Sequence, residues 1–247
     1  MQGEWVYDEG VQVGTNYLDD CEVLEYDRNM QQLRNISEEV EVAASALCLR
    51  AETTVWEIGT GTGETALGLA VYCSKVWASD VSPAMLKFAR RKAAERGVGN
   101  VEFGLGGFLQ GFVPDQTVDA VVSQLALHHL PDFWKMAALR RVTDSLSAGG
   151  RFYLKDVVFP GDSDDYSEFF SRVIDQVRNS AGEKLANETI VHIREEYSTF
   201  DWVLEEMLRR AGLRIERKDD HGLLTFPSFR LPRQYAGRLV HLSERVG

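Results

Sequence analysis

The sequence predicts an α/β fold in which helices cover both faces of a doubly wound, mostly parallel sheet. Between about residues 51 and 157, apolar runs of strand length alternate with segments of helical periodicity. This alternation is typical of βαβ units, whose crossover helices pack on the two faces of the sheet. A length of 247 residues with 44% hydrophobic residues is enough for an ordinary packed core.

Five apolar segments are predicted as the strands of this sheet: residues 53–58, 76–80, 101–103, 118–123 and 151–158. The helix after the second strand is marked most clearly. Ser82 is a good N-cap, Pro83 suits the first helical position, and Gly97 suits the C-terminal end. The helix after the fourth strand is predicted to begin near Asp132 and to end before Gly149.

Further elements flank the sheet. They are helices at 19–36 and 37–49, the second beginning at Ser37, an insertion at 160–197 with a helix through Arg178, a helix that is capped by Ser198 or Thr199 and ends near Gly212, and strands at 213–217 and 223–226. The two early helices are expected to form a cap over the sheet. The segment 230–247 has no predicted place in the fold.

Charge and cysteine usage narrow the class of partner. A net charge of −11 makes nucleic acid an unfavourable partner, because nucleic-acid binders usually present a basic face. The three cysteines form no C-x-x-C pair, so neither a disulfide framework nor a metal site is predicted. The sequence has no signal-peptide pattern and no apolar run long enough to insert into a membrane, so we expect a cytoplasmic protein.

The stretch 55–70, VWEIGTGTGETALGLA, places three glycines at alternating positions behind Glu57. In the G-x-G-x-x-G pattern of dinucleotide enzymes, the third glycine would fall on Glu64, whose carboxylate would repel a pyrophosphate. A cofactor with an amino-acid tail and no phosphate instead needs a carboxylate for its ammonium group and bare backbone for close approach. A glycine turn with only a packing role is the alternative.

Asp80 ends the second predicted strand, 17 residues beyond Gly63. A carboxylate at this place can accept hydrogen bonds from both ribose hydroxyls of an adenosine. Nicotinamide enzymes use the same arrangement, so Asp80 alone does not select the cofactor. Asp80 could also merely cap the next helix, although Ser82 already fills that position.

Two motifs now stand in order, E-x-G-x-G-x-G at residues 57–63 and D-x-S-x-x-M-L at residues 80–86. Over about residues 53–157 the sequence resembles the class I S-adenosylmethionine-dependent methyltransferases. The resemblance implies a Rossmann-like, seven-stranded, mostly parallel sheet with an antiparallel last strand. It also implies an N-terminal helical cap at 1–50, a methyltransferase domain at 51–229 with an inserted lid at 160–197 after strand five, and a C-terminal extension at 230–247.

The implied cofactor is S-adenosyl-L-methionine, with S-adenosyl-L-homocysteine as the product. In the family, residues matching Glu57 and Asp80 face the ammonium group and the ribose, and Val81 and Met85 would contact adenine. The full set of implied cofactor-binding residues is Tyr26, Glu57, Gly59, Thr60, Gly61, Thr62, Gly63, Asp80, Val81, Met85, Gly107, Phe108, Gln124 and Leu125. For Tyr26, plain helix packing is the alternative.

Gly107 is a departure from the family pattern. Most relatives carry an aspartate there, which accepts a hydrogen bond from the adenine amino group. In this chain adenine would depend on backbone contacts at Gly107 and Phe108.

The stretch 123–134, SQLALHHLPDFW, follows the fourth strand and lacks the [DNS]-P-P-[YFW] motif of DNA amino-methyltransferases. His128 and His129 are adjacent, so their side chains are expected to diverge. In similar small-molecule O-methyltransferases, a histidine at the second position pairs with an aspartate at the end of strand five. The matching pair is His129 and Asp156, predicted as catalytic, with loop packing of His129 or an ion pair between Lys155 and Asp156 as alternatives.

The resulting prediction is an enzyme that moves a methyl group by in-line displacement to a small-molecule acceptor. The alternatives are an NAD(P)-dependent oxidoreductase and a non-catalytic S-adenosylmethionine-binding or interaction protein. The methylated element, whether O, N, C or S, is left open. So is the oligomeric state, for which a homodimer is one option.

Overall fold

The computed structural model describes residues 3–11, 23, 35–161, 164–219 and 228–232. Four predictions lie wholly or mostly outside the described residues: the predicted strand 223–226, the cofactor contact of Tyr26, the helix at 19–36, and the C-terminal extension at 230–247 beyond residue 232. The last described strand runs to Pro232, past the predicted end of the methyltransferase domain at residue 229.

The described elements follow in chain order. They are α1 (Ile36–Leu47), β1 (Thr54–Ile58), α2 (Glu64–Leu69), β2 (Lys75–Asp80), α3 (Pro83–Arg96), β3 (Val101–Leu105), β4 (Val118–Gln124), a 3₁₀ turn (Leu127–His129), α4 (Asp132–Ser145), β5 (Leu146–Lys155), β6 (Val158–Phe159), α5 (Tyr166–Ala181), α6 (Glu183–Glu195), β7 (Thr199–Phe200), α7 (Asp201–Arg210), β8 (Arg217–Asp219) and β9 (Ser228–Pro232).

The central sheet has the strand order β3-β2-β1-β4-β5-β9-β8. Its first five strands are all parallel, β9 runs antiparallel to β5, and β8 pairs antiparallel with β9. This confirms the predicted Rossmann-like α/β class with a mostly parallel sheet. The order reverses between β1 and β4, and open sheets of this kind bind ligands beyond the carboxyl ends of the strands at such a reversal.

Hydrophobic side chains form a core on each face of the sheet. On one face, Trp56 and Phe152 are fully buried against residues of α4 and α7, including Leu139 and Leu208. On the other face, apolar residues of α1 and α2 pack against strand residues such as Val55. Because successive side chains of a strand point to opposite faces, neighbouring residues 55 and 56 serve different cores. The two cores fix the strand ends that carry the polar residues.

The predicted residues at the two ends of α3 are confirmed. Ser82 Oγ accepts a hydrogen bond from Met85 N at 3.2 Å, Pro83 occupies the first turn, and Gly97 is left-handed at φ 65°. The helix predicted near Asp132 is also present as α4, which ends at Ser145. Local sequence signals therefore predicted these two helices correctly.

Several boundaries differ from the predictions. Helix α7 begins at Asp201 with Phe200 as its N-cap, so the predicted cap at Ser198 or Thr199 was wrong, because Thr199 belongs to β7. Helix α1 begins one residue before Ser37, because Asn35 is the N-cap and accepts from Glu38 N at 3.3 Å. Strand β5 begins at Leu146 because Gly149 and Gly150 lie in an irregular stretch of the strand, where the β4–β5 register shifts, and not in a loop. The strand predicted at 213–217 begins only at residue 217.

The segment after β5 contains α5 and α6 and is bounded by a short parallel pair, β6 with β7. The two ends of this segment therefore lie next to each other. Among the described residues, none of the helices combines the length and apolarity that a membrane crossing requires.

Candidate active site

The glycine loop between β1 and α2 requires its glycines. Gly59, Gly61 and Gly63 have φ values of 79°, 53° and 84°, in the left-handed region that side chains disfavour. A Cβ at Gly59 would overlap the side chain of Ala126, and one at Gly63 would lie 2.9 Å from Ala89 Cβ. The loop thus runs close to the end of β4 on one side and to α3 on the other.

Glu57 lies near the carboxyl end of β1 and is 2% exposed. Its Oε2 accepts a hydrogen bond from Thr60 Oγ1 at 2.7 Å, and Thr60 and Thr62 are themselves buried. A buried carboxylate beside bare loop backbone is the environment that an ammonium group needs. The role of Glu57 in cofactor binding stays a prediction from the sequence.

Asp80 lies at the carboxyl end of β2 and connects two loops. Its Oδ2 accepts from Gly61 N at 2.7 Å, and its Oδ1 accepts from Ser82 N at 2.8 Å. Burial raises the pKa of the Asp80 carboxyl, while these backbone donors act in the opposite direction. Each oxygen retains acceptor capacity, so the carboxylate can also take hydroxyl donors such as those of a ribose.

Glu64 is paired with two cations that the charge argument did not include. Its carboxylate forms ion pairs with Lys92 and Arg96 of α3, both at 2.8 Å. Burial raises its pKa, but these two cations outweigh that effect and lower it. The expected repulsion of a pyrophosphate by Glu64 is therefore largely neutralised, and that part of the argument was wrong.

Two of the predicted adenine-side residues, Val81 and Gly107, lie next to each other beyond the ends of β2 and β3. Met85 and Phe108 are 3% and 4% exposed, and a Cβ at Gly107 would lie 2.8 Å from Val81 Cγ1. Gly106 N donates to Asp80 O at 3.0 Å and so holds the two strand ends against each other.

At the end of β4 the backbone turns sharply. Gln124 is buried, and the following Leu125 has φ 54°, an unfavourable value for a residue with a side chain. Leu125 N donates to Lys155 O at 2.8 Å, which fixes this conformation against β5. Strained backbone of this kind is often found at functional sites.

The predicted pairing of His129 with Asp156 was wrong, because Asp156 binds His128. Asp156 Oδ1 forms a short hydrogen bond with His128 Nδ1, and Oδ2 accepts from Leu127 N at 2.7 Å and from His128 N at 3.2 Å. The 3₁₀ turn directs the first imidazole, and not the second, to the carboxylate at the end of β5. The alternative ion pair is absent too, since Lys155 Nζ binds Glu39 at 2.9 Å.

Glu196, which was not among the predicted site residues, joins the histidines. Its Oε2 lies 2.6 Å from His192 Nδ1, 3.2 Å from His128 Nε2 and 3.8 Å from His129 Nδ1. The His128 and His129 rings do not diverge as expected but lie side by side, with centroids 4.3 Å apart. We call Asp156, His128, His129, His192 and Glu196 the histidine cluster.

The cluster sets the charges of its members. Burial alone would lower the pKa of His128, but Asp156 and Glu196 raise it to about 9. Burial and the neighbouring His128 lower the pKa of His129 to about 3. At neutral pH, His128 is therefore an imidazolium between two carboxylates, whereas His129 is neutral.

The cluster also has donor atoms of the kind that bind divalent metals. One ligand atom each of His128, His129 and Glu196 lie within 4.8 Å of one another. Imidazole and carboxylate suit zinc and similar ions. The sequence predicted no metal site, and this stays a prediction.

Comparisons with known proteins place this geometry in a family. A profile described as a methyltransferase domain matches residues 55–150. An uncharacterized methyltransferase of Geobacillus kaustophilus is 30% identical over 191 residues, which span 76% of this chain and 83% of that protein. The chain belongs to the class I S-adenosylmethionine-dependent methyltransferases.

Other relatives agree with this membership. The uncharacterized methyltransferase YrrT of Bacillus subtilis is 31% identical over 170 residues, spanning 69% of this methyltransferase and 74% of the relative. A solved S-adenosylmethionine-dependent methyltransferase of Clostridium acetobutylicum superposes with a TM-score of 0.64 at 13% identity, covering 87% of this chain and 99% of that one. The latter likeness concerns the fold alone. Membership sets aside the oxidoreductase alternative.

A first prediction concerns the glycine loop of the methyltransferase. Gly59→Ala should lower the free energy of unfolding by about 1 to 3 kcal/mol, because its Cβ would overlap Ala126 at a left-handed φ. Urea unfolding followed by circular dichroism measures this loss. Gly99→Ala is the matched control, since nothing lies within 4 Å of its added Cβ, and equal losses in the two variants would contradict the prediction.

A second prediction concerns pH. Because the pKa of His128 rises from 6.5 to about 9 on folding, its stabilising effect is complete below pH 6.5 and disappears as pH rises through 9. The free energy of unfolding should therefore decrease by up to about 3 kcal/mol between pH 6.5 and 9.5. Chemical unfolding at a series of pH values tests this.

His128→Gln should remove that decrease. His129→Gln should retain it, because a pKa lowered to about 3 changes stability only below pH 6.5. An unaltered decrease in His128→Gln would show that another group causes it.

Proposed function

We propose that this methyltransferase transfers a methyl group from S-adenosyl-L-methionine to a small-molecule acceptor. The observation that carries the proposal is the pair of buried carboxylates, Glu57 and Asp80, at adjacent strand ends around a loop that only glycines can form. The net charge of −11 supports a small acceptor over a nucleic acid. A cytoplasmic location and the absence of membrane insertion are part of the same proposal.

The two carboxylates would hold opposite parts of the cofactor. When bound, S-adenosyl-L-methionine supplies an electrophilic methyl group on a sulfonium sulfur. Glu57, which Thr60 orients, would bind the ammonium group, while Asp80 would accept from the ribose hydroxyls. The glycine loop brings backbone close to the bound molecule, and Gly61, through its bond to Asp80, fixes the loop to the nucleoside side.

The acceptor would enter on the β4 and β5 side of the sheet, where the histidine cluster lies. There, 33% of the His129 side chain is exposed, against 7% for His128, so His129 is the imidazole that an acceptor can reach. As a neutral ring it can accept a hydrogen bond from an O–H or N–H group. Its low pKa makes complete proton removal before transfer unfavourable, so we assign it to orienting the acceptor.

In this proposal Asp156 acts through His128 and not through His129. The Asp156 carboxylate and Glu196 keep His128 charged, and the charged His128 keeps His129 neutral. Asp156 is therefore a positioning residue.

We further propose that residues 1–50 form a cap and that the insertion at 160–197 forms a lid beside the acceptor. The insertion is anchored to the site, because Tyr197 N donates to His128 O at 3.0 Å and Glu196 contacts three imidazoles. Lys135 of α4, 2.8 Å from Asp132, also donates to Tyr197 O. The end of the insertion thus has a fixed position against the histidine cluster.

A third prediction tests cofactor binding. Asp80→Ala should weaken binding of S-adenosyl-L-homocysteine by about tenfold or more, since two hydroxyl hydrogen bonds to a carboxylate are lost. Titration calorimetry measures the dissociation constant. Asp115→Ala, which removes an exposed acid, is the control and should bind normally. Binding of NAD(H) without any response to S-adenosyl-L-methionine or its product would overturn the proposed function.

A fourth prediction tests His129. An acceptor is first found by incubating the enzyme with methyl-labelled S-adenosyl-L-methionine and panels of phenols, amines, thiols and carbon acids. His129→Ala should then lower kcat about 10²-fold, because the acceptor is no longer oriented, and leave cofactor affinity unchanged. An unchanged kcat would eliminate the role of His129. His192→Ala, at the far side of Glu196, is the comparison variant and should lower kcat less.

A further inference from the structure

The described amino-terminal segment, residues 3–11, lies across the carboxyl end of β3. Glu9 Oε1 accepts hydrogen bonds from Leu109 N at 2.9 Å and from Gln110 N at 2.8 Å. Gln110 Nε2 in turn donates to Tyr7 O at 3.3 Å. A carboxylate from the start of the chain is therefore fixed in the loop between β3 and β4.

The second oxygen of Glu9 occupies the space that a side chain at position 107 would fill. A Cβ built on Gly107 would lie 2.5 Å from Glu9 Oε2 and 2.8 Å from Val81 Cγ1. Leu109 N and Gln110 N both bind Oε1, and the Phe108 backbone also donates to the carboxylate, while Oε2 lies over Gly107. Val81 directly follows Asp80, the acid assigned to the ribose.

The order of the strands indicates which part of a nucleoside reaches this place. In the proposed function, the amino-acid tail lies at Glu57 on β1 and the ribose at Asp80 on β2. Strand β3 is the next strand in that direction, and Gly106 N binds Asp80 O at 3.0 Å. The base attached to that ribose would therefore lie beside Val81, with its edge toward the Glu9 carboxylate above Gly107.

We propose that Glu9 accepts the hydrogen bond of the adenine amino group through Oε2. Glu9 then supplies, from 98 positions earlier in the chain, the acceptor that Gly107 cannot supply. This inference rests on the proposed function, since it needs the nucleoside to lie across β2 and β3. It identifies a residue that makes the site specific for adenine over bases with a carbonyl at the same position.

Contacts around Glu9 keep its carboxylate in place. The ring of Tyr7 lies 6.4 Å from those of Trp134 and Tyr197, so the segment packs against α4 and the chain after α6. Arg141 Nη1 donates to Phe108 O at 2.9 Å and places a cation near Glu9. Burial raises the pKa of Glu9, while the backbone donors and Arg141 act in the opposite direction. An acceptor that is fixed before binding discriminates better than a mobile one.

The test compares two ligands that differ only in the base. Titration calorimetry measures the dissociation constants of S-adenosyl-L-homocysteine and of S-inosyl-L-homocysteine, whose carbonyl replaces the amino group. Wild type should prefer the adenine ligand by about 10² or more, because the inosine carbonyl would face a carboxylate. In Glu9→Ala this preference should decrease to less than about threefold, chiefly through weaker binding of the adenine ligand.

Three further variants make the result specific. Glu4→Ala changes an exposed acid of the same segment and should keep the full preference. Glu9→Gln retains a side-chain oxygen acceptor and should keep part of it. In a Glu9→Ala, Gly107→Asp double variant, the carboxylate returns from position 107, and the preference for adenine should return with it. Gly107 does not have a left-handed φ, so its backbone accepts an aspartate, and the Val81 side chain has to move because the new Cβ would lie 2.8 Å from Val81 Cγ1.

Two outcomes would overturn the inference. Tighter binding of S-adenosyl-L-homocysteine to Glu9→Ala would show that Glu9 covers the site instead of recognising the base. Equal weakening of both ligands would show that Glu9 only holds the segment in place. Failure of wild type to bind S-adenosyl-L-homocysteine at all is a different result, because it would contradict the proposed function itself.

Discussion

The site depends on one constraint: a carboxylate buried at the end of a parallel strand must receive hydrogen bonds from the loops at that edge of the sheet. Glu57 receives one from Thr60, Asp80 from Gly61, and Asp156 from Leu127. Burying an ionised carboxylate without such donors would cost several kcal/mol. Each acid therefore determines the path of the loop beside it. The glycines with left-handed φ and the strained Leu125 lie where the chain has to turn to bring these donors within reach.

The sequence predicted the parts of the site that are local in the chain. The glycine loop, the helix α3 with its Ser82 cap, and the acid at the end of β2 are all determined by neighbours within a few residues. The alternation of strand-length apolar runs with helical segments was likewise enough to predict the class of fold. The ends of strands were predicted less well where a glycine can lie either in a loop or in a strand. Gly149 lies in an irregular stretch of β5 and not in a loop.

Contacts between distant segments could not be predicted in this way. The choice of His128 over His129 depends on how a 3₁₀ turn orients two adjacent rings, and both residues have the same letter in the sequence. Glu196 follows another glutamate and so has the pattern of a solvated charge pair, yet its side chain is 5% exposed. Glu9 lies about a hundred residues from its backbone donors, and no spacing rule connects the two.

The parallel pair of β6 and β7 has a consequence for how such enzymes diverge. Val158 pairs with Thr199, so the forty residues between them start and finish next to each other. The entropy of closing a loop increases only slowly with its length, so this segment can be exchanged for a longer or shorter one with little effect on the stability of the sheet. Glu196 limits the exchange, because a replacement must return a carboxylate to the histidines. Under the proposed function, the segment beside the acceptor can therefore change while the loops that hold the methyl donor stay as they are.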